Sequence, residues 1–218
     1  MTVIVAMDGP AGSGKSSVSR AAAARLGFAY LDTGAAYRAL AWHGLDTGVD
    51  LDSPEAVEAL LDTADITLAT SPQERWVRVG TADVTEAIRT PEVSAAVAAV
   101  ARTLPLRQRL NAWFRELIQA AEPGIIVEGR DITTVVAPDA DVRILLTASA
   151  EVRAARRAGE LGGATSQVAA AIAKRDASDS KVVDFMEPAP GVTLLDSTDL
   201  NFEETVQAVL DLVKEATA

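Results

Sequence analysis

The sequence of 218 residues contains no cysteine, which excludes a disulfide framework, a thiolate nucleophile and a cysteine metal site. It has no apolar run long enough to span a membrane, and the apolar stretch Val3 to Met7 is too short for the core of a signal peptide. Histidine occurs once, as His43, without a recognisable Ser/His/Asp constellation around it. We therefore expect a cytoplasmic protein whose chemistry depends on neither a thiol nor a histidine base.

Basic residues are also scarce. The chain has 20 Lys and Arg against 31 Asp and Glu, a formal net charge of −11, and this argues against nucleic-acid binding because that function normally requires a surplus of basic surface. Only four of the basic residues are lysines: Lys15, Lys174, Lys181 and Lys214. A protein of this charge that handles phosphates must gather its cations locally, and arginine gives the better bidentate grip.

Apolar runs alternate with helical patterns along the chain. Buried strands are predicted at five places: Val3 to Met7, Phe28 to Leu31, Ile125 to Val127, Val142 to Leu146 and Val192 to Leu195. Such alternation is typical of an α/β protein with a parallel sheet and helices on both faces. We interpret residues 1–218 as a single domain of this class.

The pattern changes between the second and third of these strands. Alternating residues from Ile66 and around Trp76 to Val79 predict a small antiparallel piece, and helices are predicted from Pro91 to Arg102 and from Leu106 to Ala121. The connection is too long for a simple crossover. We interpret residues 65–105 as an insertion on the core.

The most specific motif follows the first strand and precedes a helix, as a phosphate-binding P-loop should. Its eight residues are Gly9, Pro10, Ala11, Gly12, Ser13, Gly14, Lys15 and Ser16, and Ser17 is predicted to begin the helix. Backbone N–H groups and the helix dipole would hold triphosphate oxygens. Lys15 would bridge the outer phosphates and Ser16 would ligate Mg²⁺. This loop alone does not distinguish a kinase from a nucleotide switch or a motor ATPase.

A hydroxyl, a helix N-terminus and an arginine follow the second strand, in LDTGAAYR. Thr33 can cap a helix, and Arg38 lies about one turn further on. Together they would form an anion pocket. The alternative is an ordinary capped helix with a solvated arginine.

A second candidate site follows the third strand, at Glu128-Gly129-Arg130-Asp131. Open α/β sheets place ligands at the carboxyl ends of strands. Arg130 could hold an acceptor phosphate, while Asp131 takes a sugar hydroxyl or helps to organise the metal. Glu128 and Asp131 are both candidates for a second metal ligand beside Ser16. A salt-bridged turn is the alternative interpretation.

Arginines recur in the helical region 153–186. Arg153, Arg156 and Arg157 share one helix face by spacing, Arg175 follows later in the region, and Gly162-Gly163 marks a predicted flexible point. An arginine-rich lid would neutralise charge on a transferred phosphoryl group and exclude water. A solvated basic helix face is the alternative.

Taken together, these blocks resemble bacterial cytidylate kinases. The similarity covers nearly the whole chain and rests on six blocks in order: MDGPAGSGKSS, LDTGAAYR, DVTEAIRTPEVS, EGRDITTVVAPDADVRILLTAS, KRDASDS and LLDST. The resemblance implies a P-loop NTPase core with five parallel strands, an inserted monophosphate-binding subdomain and a lid. It also implies transfer of the ATP γ-phosphate to CMP or dCMP, with Mg²⁺, by an enzyme that we expect to be a monomer.

The resemblance assigns roles by motif position. It places Thr33, Arg38 and Arg130 near the acceptor phosphate and Arg107 near the cytosine ring. Asp131, Arg175 and Asp179 fall near the ribose and lid contacts. On the ATP side, Arg153 and Arg157 resemble lid arginines and join residues Gly9 to Ser17. The residues expected to act in catalysis are Lys15, Arg130, Asp131 and Arg157.

Two positions depart from the family pattern. Many members have Ser where this chain has Ala98, and Arg where it has Val182, both on the pyrimidine side of the pocket. Each lost hydrogen bond would weaken base discrimination by about 1 kcal/mol. The choice among CMP, dCMP and UMP therefore stays open, as does a kinase for another small molecule. A nucleotide switch is a further alternative, although the chain has neither an N-K-x-D nor an L-S-G-G-Q motif.

Overall fold

A computed structural model describes residues 2–161 and 165–218. Its strands are β1 (Val3–Asp8), β2 (Ala29–Asp32), β3 (Ile66–Leu68), β4 (Val77–Val79), β5 (Ala82–Asp83), β6 (Gly124–Gly129), β7 (Val142–Thr147) and β8 (Thr193–Asp196). Five of them form one sheet in the order β2-β6-β1-β7-β8, and all of its pairings are parallel. The predicted parallel sheet is confirmed.

Helices cover both faces of this sheet. They are α1 (Lys15–Leu26), α2 (Thr33–Asp46), α3 (Pro54–Thr63), α4 (Pro91–Arg102), α5 (Leu104–Gln119), α6 (Ala150–Leu161), α7 (Thr165–Asp179) and α8 (Phe202–Ala216). One apolar cluster joins the sheet to α2 through α5, and a second joins it to α1 and α8. Because the central strands are apolar on both faces, each can be buried from both sides.

Helix starts follow the capping residues written in the sequence. The side chains of Ser53 and Thr90 accept N-cap hydrogen bonds, each before a proline, and Asn201 with Glu204 forms a reciprocal capping box on α8. The start of α1 was predicted too late. It begins at Lys15 rather than Ser17, so the last residues of the P-loop already belong to the helix.

The predicted antiparallel piece is confirmed and has a third short strand, β5. Its sheet has the order β3-β4-β5, with both pairings antiparallel. It is tied to the edge of the main sheet by one backbone hydrogen bond, in which the Tyr30 N–H donates to the Thr70 carbonyl at 2.8 Å. The small sheet therefore lies beside the β2 edge of the main sheet.

Two features of the helical regions bear on the sequence predictions. The predicted flexible point at Gly162 and Gly163 lies outside the described residues. Within residues 2–161 and 165–218, no helix has both the length and the apolar character needed to cross a membrane.

Candidate active site

The P-loop packs so closely against the chain around it that two of its positions require glycine. Gly12 has φ +77°, and a Cβ there would lie 2.7 Å from the Arg153 carbonyl oxygen. A Cβ on Gly9 would lie 2.2 Å from the carbonyl oxygen of Leu146. Backbone this tight, at the carboxyl end of β1 and the N-terminus of α1, presents N–H groups as an anion cradle.

Lys15 is held by a buried carboxylate on the neighbouring strand. Its Nζ lies 2.8 Å from Glu128 Oε2, and the Tyr30 hydroxyl donates to Glu128 Oε1 at 2.7 Å. Burial alone would raise the pKa of Glu128, which is 2% exposed. The Lys15 charge and hydrogen bonds from Lys15, Ser16 and Tyr30 lower that pKa to about 2. Glu128 is therefore an ionised internal partner for the P-loop lysine.

The start of α2 is built differently from the sequence prediction. Asp32, not Thr33, is the N-cap, and it accepts from the Ala35 N–H at 2.9 Å. The Thr33 hydroxyl instead donates to the Glu128 carbonyl at 2.8 Å, because Thr33 is buried against β6. Asp32 also pairs with Arg38 at 3.0 Å.

The turn after β6 brings Arg130 to the P-loop. Arg130 Nη1 donates to the Gly9 carbonyl oxygen, and its Nε donates to Asp179 Oδ2 at 2.9 Å. The guanidinium also lies over the ring of Phe185, 4.7 Å from its centroid. Arg130 is thus fixed between the P-loop, the last residue of α7 and the segment that follows α7.

Asp131 pairs with Arg107 from α5. Arg107 Nη2 lies 2.5 Å from Asp131 Oδ2. Burial raises the pKa of Asp131, the Arg107 charge opposes that rise, and the nearby Asp8 charge adds to it. Two residues that the sequence places 24 positions apart therefore form one charged pair beside Arg130.

The arginines of α6 contact the P-loop from the other side. Arg153 Nη1 donates to the Ala11 carbonyl at 2.9 Å and to Asp176 Oδ2 at 2.6 Å. Asp176 in turn accepts from the Ala11 N–H at 2.9 Å. Arg156 donates to the Ser13 carbonyl at 3.1 Å and to the Ser197 carbonyl at 2.7 Å. This half of the predicted lid rests on the phosphate loop.

The other predicted lid residues lie nearby on the same two helices. Arg157 is half-buried on α6. Arg175 is exposed on α7, with its Nε 3.8 Å from Asp179 Oδ2. Asp179 is therefore shared between Arg130 and Arg175.

Buried donors without a partner are concentrated at this edge of the sheet. Among the side chains that the structure describes, three buried polar atoms have neither a hydrogen-bond nor an ion-pair partner, and all three belong to the predicted site: Ser13 Oγ, Arg38 Nε and Arg153 Nε. A fourth, Arg130 Nη2, makes no hydrogen bond but lies 2.8 Å from Asp179 Oδ2 in an ion pair. Each can donate a hydrogen bond, and buried donors are rarely left unpaired. The arrangement fits phosphate oxygens, which are acceptors only.

The residues present also fit a magnesium ion that arrives with a nucleotide. Ser16 is exposed in the first turn of α1 and interacts with Glu128. Within residues 2–161 and 165–218, no three carboxylate or imidazole groups come together as a ready-made metal site. Mg²⁺ is commonly held by one or two protein oxygens together with phosphates and waters.

Sequence reasoning missed several residues that shape the site. They are Asp8, Tyr30, Asp32, Asp176 and Phe185, and each contacts a predicted residue or the turn that carries one. Asp32 could have been found, since aspartate is a favoured cap directly before Thr33. The others act through partners far away in the chain.

Sequence comparisons find relatives that match nearly the whole chain. A model of the cytidylate kinase family matches residues 5–215. The cytidylate kinase of Streptomyces avermitilis is 45% identical over 218 residues, covering 99% of this chain and 94% of its own. That of Cutibacterium acnes is 47% identical over 215 residues, covering 97% and 96%.

A crystal structure shows the same fold at lower identity. TT1252 from Thermus thermophilus aligns with a TM-score of 0.52 and 19% identity over 100% of this chain and 98% of its own. The sequence matches are more specific, because their identity is higher and they span almost the whole chain. The chain belongs to the cytidylate kinase family.

Proposed function

We propose that this protein transfers the γ-phosphoryl group of ATP to CMP or dCMP, giving ADP and CDP or dCDP. Family membership supports the reaction class, since the relatives aligned over nearly the whole chain are cytidylate kinases. The geometry supports it independently, because cations reach the P-loop from two directions.

One observation carries the proposal. Three buried donors have no partner among the described side chains: Ser13 Oγ in the P-loop, Arg38 Nε on α2 and Arg153 Nε on α6. A triphosphate alone would account for Ser13 and Arg153. Arg38 lies outside the P-loop, on α2, where it pairs with Asp32 at the end of β2. It fits a second phosphate, so the set favours a two-substrate kinase over a nucleotide switch.

On the donor side, the P-loop backbone would hold the ATP phosphates, and Lys15 would turn from Glu128 to the β- and γ-phosphates. Ser16 would hold Mg²⁺, with Glu128 or Asp131 as its second protein partner. The bound metal supplies charge neutralisation on the phosphate oxygens. Arg153 and Arg157 would stabilise the donor from the lid.

On the acceptor side, Arg38 and Arg130 would bind the monophosphate. Arg107 would contact the cytosine ring, while Asp131, Arg175 and Asp179 would contact the ribose or close the lid. Thr33 would contribute through its helix start, since its hydroxyl already donates to the Glu128 carbonyl. Phosphoryl transfer requires alignment and charge stabilisation more than a strong base.

Two segments would close around the substrates. We assign residues 65–105 to a monophosphate-binding insertion and residues 153–186 to a lid that excludes water during transfer. The enzyme would work as a monomer in the cytoplasm, where both nucleotides are available.

A coupled ADP-release assay with CMP, dCMP, UMP and AMP tests the proposal. We expect turnover that depends on Mg²⁺ and on the acceptor, highest with CMP or dCMP. Preference for AMP or UMP would contradict the cytidylate assignment alone. ATP hydrolysis at full rate without an acceptor would contradict the kinase assignment and favour a nucleotide switch.

A further inference from the structure

Asp8 is a buried carboxylate at the boundary between the two halves of the site. It is the last residue of β1, directly before Gly9 of the P-loop, and it is only 3% exposed. A carboxylate in such a position is costly unless it is well hydrogen-bonded. The groups that donate hydrogen bonds to the Asp8 carboxylate therefore indicate its structural role.

Within residues 2–161 and 165–218, all hydrogen bonds to the Asp8 carboxylate come from the turn after β6. The Ile132 N–H donates to Oδ1 at 2.8 Å, and the Thr133 N–H donates to Oδ2 at 2.9 Å. The Thr133 hydroxyl also donates to Oδ2, at 2.6 Å. These donors directly follow Arg130 and Asp131 in the chain.

Asp8 is poorly placed to act on a substrate itself. Three hydrogen bonds occupy most of its lone pairs, which leaves little capacity for a metal ion. Asp8 also faces a small pocket, lined in addition by Thr133 and Phe185, but the residue is only 3% exposed.

The same turn is anchored to the donor loop a second time. Arg130 Nη1 donates to the carbonyl oxygen of Gly9, the residue after Asp8. Phe185, which is 2% exposed, supports the other face of the guanidinium. Adjacent residues at the end of β1 therefore hold both the backbone of the turn and the arginine that it carries.

We propose that Asp8 is a positioning residue that fixes the acceptor-side turn, with Arg130 and Asp131, against the P-loop. The inference rests on the proposed function. The role of Asp8 is geometric, because Asp8 sets the distance and direction from the donor phosphates to Arg130, the arginine that holds the acceptor. Small misplacements of such groups lower rates steeply.

The first test is Asp8→Asn in the full-length protein. The asparagine amide has the same shape as the aspartate carboxylate, but its NH₂ group replaces an acceptor and faces the donors of Ile132 or Thr133. We expect the KM for CMP to rise about ten-fold and kcat to fall by about ten- to a hundred-fold. ATP affinity should be unchanged or tighter, because a negative charge near Lys15 is removed.

Thr133 provides a milder series. Thr133→Val removes one hydrogen bond to Asp8 and should lower kcat/KM for CMP about five-fold. Thr133→Ser keeps the hydroxyl and should keep kcat/KM for CMP at the wild-type value. The matched control is Thr205→Val. Thr205 is 2% exposed and its hydroxyl donates to the Asn201 carbonyl at 2.8 Å, so this variant loses a similar bond at the start of α8.

The kinetic pattern decides the outcome. An Asp8→Asn enzyme with wild-type KM for CMP and kcat overturns the inference, as does one that loses ATP affinity to the same extent as CMP affinity. If Asp8→Asn does not fold, a Thr133→Val enzyme that matches Thr205→Val in CMP kinetics overturns it. A wild-type enzyme that phosphorylates no monophosphate contradicts the proposed function instead.

Discussion

The proposed donor and acceptor halves of the site differ in how they are assembled. The proposed donor half centres on one continuous segment, Gly9 to Ser16, whose backbone N–H groups would hold the phosphates. The proposed acceptor half has no such segment: its side chains come from distant elements joined by three ion pairs, Asp32–Arg38, Arg107–Asp131 and Arg130–Asp179. Donor binding should therefore tolerate side-chain changes outside the loop, whereas acceptor binding should respond to the loss of any one pair.

The largest effect is expected at the side chain that links the two halves, Lys15. Lys15→Met should lower kcat about a thousand-fold, because a cation directed at the developing charge is lost. ATP binding should fall much less, since the backbone cradle remains. Steady-state kinetics and calorimetric ATP titration measure both quantities, with exposed Lys214→Met as the control. Equal losses in kcat and ATP affinity would contradict the expectation that the P-loop backbone supplies most of the affinity for ATP.

On the acceptor half, Arg130→Lys should lower kcat/KM for CMP about a hundred-fold while ATP affinity changes little. Lysine keeps the charge but not the planar fork that reaches the Gly9 carbonyl and Asp179 together. Arg109→Lys is the matched control, because Arg109 forms an exposed pair with Asp62 at 2.6 Å and exposed pairs contribute little. An Arg130→Lys enzyme with normal CMP kinetics would show that charge alone suffices.

The third prediction concerns pH and the partner of Lys15. The pKa of Glu128 is lowered from its ordinary 4.5 to about 2 in the folded protein, so the ionised carboxylate stabilises the fold above pH ~4.5. This stabilisation is lost as the pH falls from ~4.5 towards 2.

Chemical denaturation of the wild type and Glu128→Gln across pH 2 to 7 tests this difference. The stability advantage of the wild type should be constant above about pH 5 and shrink below it. An advantage that does not change with pH would contradict an ionised Glu128.

The smallest effects are expected at the base pocket. Ala98→Ser and Val182→Arg should each raise the preference for CMP over UMP about five-fold, since each restores roughly one hydrogen bond to the base. Competition assays with the two monophosphates measure the ratio. A CMP-to-UMP preference equal to that of the wild type in both variants would show that Ala98 and Val182 do not determine base specificity.

The difference between a continuous segment and contacts of distant residues also explains which parts of the fold and site could be predicted from the sequence. The P-loop and the five core strands could be predicted because their signals are local: a fixed spacing of glycines and short apolar runs. Helix starts at Ser53, Thr90 and Asn201 were also local and correct. The prediction that Thr33 caps α2 was wrong because Asp32 and Thr33 are both good capping residues, and only the Glu128 carbonyl, which accepts from the Thr33 hydroxyl, separates their roles.

The remaining site residues could not be derived in the same way. Asp8 is 124 positions from Ile132 and Ala11 is 165 positions from Asp176, so neither contact leaves a local pattern. Phe185 looks like any other apolar residue until the guanidinium of Arg130 is placed over it. Arg107 and Asp179 were found only through the family resemblance.

The pairing of cations with protein carboxylates bears on how products leave. Lys15, Arg38, Arg130 and Arg153 each have an acidic partner that they can regain as soon as a phosphate departs. Departure of ADP or CDP therefore leaves no bare buried charge, the state that makes the loss of one partner so costly. With these pairs, the enzyme would hold a phosphoryl group firmly during transfer and still release two highly charged products.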